Sequence, residues 1–127
     1  MKPGEKLPPL EKTFTTVDLV AYGAATWDWH RMHYDAGFAR GEGLAAPVID
    51  GQMYGAFLAR AAMNWAGPRA FMKKMSFRMT AMCFAGDALR AEGEVASVEN
   101  QTITLKQTLL KNGKVVAEAS TEIRLPC

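Results

Sequence analysis

The period of hydrophobic positions changes about halfway along the chain. Near the start, Val17, Val20, Ala21 and Ala24 recur at i, i+3, i+4 and i+7, the spacing of one helix face. Thr15 or Thr16 can cap that helix, and Asp18 falls in its first turn, where the helix dipole favours a carboxylate. Carried four residues further, the same face reaches Asp28. A second helix follows Asp50, in GQMYGAFLARAAMNWAGP, and is stopped by Gly67 and Pro68. It is apolar nearly all round. Only Gln52, Arg60 and Asn64 form a thin polar stripe at multiples of four, so this helix is expected to be buried on most sides.

Beyond Lys74 the period becomes two. Met75, Phe77, Met79, Ala81 and Cys83 alternate with polar residues, and Leu89, Ala91 and Val95 do the same. Ile103, Leu105 and Leu109 follow, then Val115, Ala117, Ala119, Ile123 and Leu125 in a last strand. Gly86-Asp87, the stretch Glu99 to Gln101 and above all Asn112-Gly113 provide the turns. The C-terminal half therefore reads as an antiparallel meander after one buried helix. This is an α+β class protein, and a twisted sheet wrapped around a long buried helix is the hotdog arrangement. Residues 1–12, rich in proline and charge, read as an extended N-terminal arm, and residues 13–127 as a single domain.

Composition narrows the function. A chain of 127 residues suits one domain, with 49% hydrophobic and 22% charged residues, an ordinary globular balance. A net charge of +2 is too small to argue for nucleic acid or a membrane surface. The two cysteines, Cys83 and Cys127, make neither a disulfide framework nor a metal motif, and no metal site is expected. The first residues lack the apolar core of a secretory signal, so a cytoplasmic location is expected. A core this small accommodates an internal pocket only at a cost, which favours a pocket at a subunit interface and hence a homodimer or a dimer of dimers.

The chemistry concentrates in TWDWHRMHYD, residues 26–35, which holds both histidines of the chain. Asp28 and His33 are five residues apart, which on a continuous helix would place them on different faces. If the helix ends near Trp29 and the chain turns, the two side chains converge. A carboxylate and an imidazole sharing one water are suited to proton transfer near neutral pH. Trp27 and Trp29 would dry the site and raise the carboxylate pKa. The same residues also read as structure: the tryptophans as core or interface anchors, one histidine as a satisfied core residue, and Asp28 as a helix-end residue bonded to backbone.

DWHRMHYD followed by APVIDGQMYGAFLA resembles the MaoC-like acyl-CoA dehydratases, the (R)-specific enoyl-CoA hydratase family. Asp28, His33 and Asp35 match the first part of the family pattern, and Pro47 and Gly51 the second. The resemblance implies a hotdog fold and a lyase. Asp28 and His33 would activate water for addition to a trans-2-enoyl-CoA, or catalyse the reverse dehydration, while the Gly51 N–H stabilises the thioester oxygen. It implies no cofactor, CoA being part of the substrate. His30, Asp50, Tyr54 and Gly55 would contact the acyl group. Arg60, Arg69, Lys73 and Lys74 are cations available to the CoA phosphates. Two departures stand out: His30-Arg31 replace the family's Asn-Pro, and Asp50-Gly51 its His-Gly. Asp50 reads as an N-cap, or as a second carboxylate near the acyl group. The latter opens a thioesterase alternative, and a non-catalytic acyl-binding subunit is a third.

Overall fold

The computed structural model describes residues 1–126, so Cys127 lies outside the described residues. The elements run β1 (Leu10–Thr13), α1 (Thr16–Thr26), α2 (Ala36–Gly41), α3 (Gly51–Ala66), β2 (Phe71–Met79), β3 (Ala88–Glu99), β4 (Thr102–Lys111) and β5 (Lys114–Arg124), with a short 3-10 turn at Arg31–His33. All strand pairs are antiparallel, in the order β1-β3-β4-β5-β2. The meander read from the alternation is present as β3-β4-β5, and its two tight turns place Asn100, Asn112 and Gly113 at positive φ. Its expected first strand is displaced: β2 lies at the far edge beside β5 and ends at Met79, leaving Ala81 and Cys83 outside it and Phe77 and Met79 exposed. Asn112-Gly113 has both central residues left-handed, as a type I′ hairpin requires.

The sheet folds over α3, which packs against β2, β3, β4 and β5. Tyr54, Phe57, Leu58, Ala61 and Ala62 of the helix are buried, while Gln52, Arg60 and Asn64 are exposed, as the polar stripe predicts. One polar connection crosses the core. Gln107 Nε2 on β4 donates to the Leu58 carbonyl (2.9 Å), and the Thr121 hydroxyl donates to Gln107 Oε1 (2.7 Å). Among the described residues each buried side-chain nitrogen and oxygen is paired, and the helix is fixed along the sheet as well as against it.

Three further readings change. The N-terminal arm is extended, but β1 pairs with β3, Lys6 bridges Glu94 and Leu7 is buried, so the arm is part of the sheet and its core. On α1 the buried residues are Leu19 and Gly23; Val17 and Val20 are exposed. The face inferred from periodicity is the solvent face. On β5, Val116 is buried and Val115 exposed. A register shift sets Leu109 opposite Ala117 but Leu110 opposite Val115, leaving Val116 as the extra residue.

Candidate active site

Asp28 reaches the site because α1 stops early. Its start is fixed by Thr15, which accepts from the Asp18 N–H while the Asp18 carboxylate accepts from Thr15 N–H, a full capping box. Its end is Trp27 in the left-handed region (φ 60°, ψ 33°), with the N–H groups of Trp27 and Asp28 both directed to the Gly23 carbonyl. The turned chain passes so close over the helix that a Cβ on Gly23 would lie 2.9 Å from the Asp28 carbonyl oxygen. Gly23 is thus a positioning residue. Its signal in the sequence was a glycine inside a helical pattern five residues before the candidate acid, where glycine costs about 1 kcal/mol against alanine and needs a reason.

His33 ends the 3-10 turn and is buried. Its Nδ1 lies 2.7 Å from the Val48 carbonyl oxygen, which can only accept, so Nδ1 carries a proton. In the neutral ring Nε2 is then a bare lone pair. That nitrogen lies 4.0 Å from Asp28 Oδ2 and 3.8 Å from Asp50 Oδ2. His30 helps to build this loop. Its Nδ1 accepts from the Met32 N–H, and its own N–H donates to Asp28 Oδ1. Asp35 stays outside: it caps α2 by accepting from the Phe38 N–H and pairs with Arg31 at 2.9 Å.

Asp50 caps α3, its Oδ1 accepting from the Gln52 N–H at 3.0 Å. The Met53 N–H goes to the Asp50 carbonyl, which leaves the first amide of the helix, on Gly51. Gly51 lines a cavity of about 460 Å³ together with His30, Met32, His33, Phe38, Val48, Ile49, Met79 and Met82. Its walls are mostly apolar, with two imidazoles and Glu42 among them. A Cβ on Gly51 would touch only the Met79 thioether at 3.4–3.5 Å, so the chain's own packing does not require glycine there.

The electrostatics differ from the expectation drawn from the tryptophans. Trp27 is 81% exposed and Trp29 43%, and the Asp28 carboxyl is held below its ordinary pKa, chiefly by a hydrogen bond with Asp50. It is Asp50 whose pKa is raised, first by burial and then by Asp28. The two carboxyls therefore titrate as a pair. These two and His33 are also the one set of three ionisable groups, among the described residues, whose donor atoms lie within 4.8 Å of one another and so could hold a metal ion.

The structure thus brings Asp28, His33, Asp50 and Gly51 together, with His30 beside them. Tyr54 and Gly55 lie elsewhere. Tyr54 is buried in the core, where its hydroxyl donates to the Ala81 carbonyl (3.1 Å) and burial raises its phenol pKa. At Gly55 a Cβ would lie 2.5 Å from the Phe77 ring, so this glycine lets β2 approach α3.

The site thus sets an imidazole, pinned on its far nitrogen, against two carboxylates beside a helix start. Residues 1–118 match the family model for the MaoC like domain. The chain belongs to the MaoC-like hydratase/dehydratase family. It is 28% identical over 103 residues, 81% of this chain and 80% of that protein, to the 3-oxo-4,17-pregnadiene-20-carboxyl-CoA hydratase beta subunit of Mycobacterium tuberculosis. Among solved structures it resembles the ChsH1-ChsH2 complex from Mycobacterium tuberculosis, with a TM-score of 0.92, 25% identity and 98% of each chain covered. The fold also matches R-hydratase PhaJ1 from Pseudomonas aeruginosa, with a TM-score of 0.93, 24% identity, and 99% of this chain and 83% of that one covered. The MaoC-like chain therefore has the hotdog fold. Among its described residues, no helix is long and apolar enough to cross a membrane.

Proposed function

We propose that this chain adds water to trans-2-enoyl thioesters and, in reverse, dehydrates 3-hydroxyacyl thioesters. The observation that carries this reading is the pinning of His33. With Nδ1 on the Val48 carbonyl, the Nε2 lone pair faces Asp28 Oδ2 across 4.0 Å. That gap is too long for a direct hydrogen bond and suits one water oxygen about 2.8 Å from each group. As the water attacks C3, negative charge builds on the thioester oxygen. The Gly51 N–H at the positive end of α3 is the donor for it. The acyl chain lies in the apolar cavity beside Gly51, with His30 at its rim. The reaction uses water and the chain's own groups, with CoA or a carrier protein as part of the substrate.

Two copies are proposed to pair along β2. It is an edge strand of the sheet with Phe77 and Met79 exposed, and Met79 adjoins the helix start and the cavity wall. The similar hydratase protein is named as a beta subunit, so a different partner chain is the second arrangement to test.

The test is loss of enoyl-thioester absorbance on adding purified protein to short and medium trans-2-enoyl-CoA, with Asp28→Asn alongside. The expected result is turnover by the wild type and a loss of roughly 10²–10⁴-fold in the variant. Thiol release in place of hydration would transfer the chain to the thioesterases, with Asp50 directing the water. No turnover alone, with turnover restored by a second subunit that carries its own acid-base pair, would make it a binding subunit.

A further inference from the structure

The site holds one ionisable group more than a water-activating pair needs. Asp50 occupies a fixed position: Oδ1 is used by the cap to Gln52, so Oδ2 is the oxygen set 3.8 Å from His33 Nε2. Asp50 is also the more sheltered carboxylate, its side chain 12% exposed against 40% for Asp28. It directly precedes Gly51. In a thioester enolate the α-carbon is two bonds from the oxygen and the β-carbon three. Asp50 is the carboxyl next in sequence to the amide that receives the oxygen, with its Oδ2 on the His33 side.

Resting on the hydratase reading above, we propose that Asp50 is the acid of the addition, delivering the proton that the α-carbon receives. The water oxygen bonds to C3 as one of its O–H bonds breaks, and that proton goes to His33 Nε2. The C2–C3 π pair moves toward C1, and the C1–O π pair settles on the thioester oxygen. When the enolate collapses, C2 takes the proton from Asp50 Oδ2. Asp50 is left as a carboxylate and His33 as an imidazolium. Transfer of the Nε2 proton to Oδ2 across their 3.8 Å gap, with a small approach or one bridging water, restores both groups. The sum is one water added. Burial and the neighbouring Asp28 both favour the protonated form of Asp50, which is the form an acid requires. The groups that face it are Asp28 and His33, with His30 next to Asp28 and the Tyr22 phenol of α1 close to both carboxylates.

Steady-state hydration is measured across pH for the wild type, Asp50→Asn and Asp50→Ser. Both substitutions keep an N-cap. The expected result is a kcat loss of roughly 10²–10⁴-fold with KM changed less than about threefold, and loss of the wild type's alkaline limb. Asp50→Glu, an acid one methylene longer, should recover part of kcat and the limb. Melting curves show which variants fold, and Asp50→Glu tests the limb even if the others do not. A wild type active on enoyl thioesters whose kcat survives in Asp50→Asn overturns the role of Asp50 alone. A wild type without hydration overturns it together with the reading beneath it. Activity removed by a chelator and restored by a divalent cation overturns it by assigning Asp50 to an ion.

Discussion

Helices α1 and α3 use small apolar residues in opposite ways. Both carry alanine, valine or leucine at helical spacing. In α3 the apolar residues occupy nearly every direction, and the few polar ones mark the outside. In α1 the apolar residues surround the helix too loosely to mark a side, so Val17 and Val20 face solvent while Leu19 and Gly23 face inward. The exposed valines need no special explanation, since more than half of a folded surface is apolar. The lesson is that a polar stripe on an apolar helix locates the surface, whereas an apolar stripe on a short mixed helix does not locate the core. The two helices also serve the site differently: α3 gives its beginning, α1 its end.

The largest expected contrast comes from truncating one apolar residue in each. Leu58 is fully buried, and Leu58→Ala should cost about 2–5 kcal/mol. Val17 is 77% exposed, and Val17→Ala should stay within about 0.5 kcal/mol. Urea denaturation of the two variants measures the difference, and similar losses would mean that another chain covers α1.

A smaller effect sharpens the comparison at the helix end. Alanine is the better helix former by about 1 kcal/mol, yet Gly23→Ala should destabilise by about 1–3 kcal/mol, because its Cβ would meet backbone at 2.9 Å. Hydration should fall with it, since the displaced atom belongs to Asp28. Gly55→Ala makes a control in α3. There the close atoms belong to the Phe77 side chain, 40% exposed and able to swing away.

The smallest expected effect is a dependence on pH. Asp50 has a raised pKa in the folded chain, so its stabilising proton is present in acid and is lost as pH rises through the folded value. Asp50→Asn should therefore gain in melting temperature relative to wild type from acid toward neutral pH. Asp28, with a lowered pKa, behaves oppositely: its contribution is present above its ordinary pKa and falls away in acid. A melting difference that stays flat with pH would remove the proton from Asp50.

Much of the fold was legible. The alternation of β3 and β4, the Asn112-Gly113 turn and the polar stripe of α3 are local signals that burial had no reason to override, whereas the alternation of β2 misled, because that strand is an edge with Phe77 and Met79 exposed. The β5 bulge was not legible, because Val115 and Val116 are both apolar and pairing alone decides which turns inward. The N-terminal arm carries three prolines, which hid its pairing with an edge of the sheet. In the site, the Asp28 and His33 spacing raised the right question, but its answer depended on a left-handed Trp27, a conformation that sequence does not announce for tryptophan. Tyr54 and Gly55 follow Gly51 closely in sequence, yet the helix turns both toward packing contacts.

Val48 shows how little of this site is written in side chains. Its N–H bonds to the Met32 carbonyl at 2.8 Å and its carbonyl receives His33 Nδ1 at 2.7 Å, so one peptide segment holds both the loop and the ring it carries. Any residue with an amide hydrogen supplies those two contacts. The identity at position 48 can drift among small apolar residues while the tautomer of His33 is inherited unchanged, and only proline, which lacks that hydrogen, breaks the lineage.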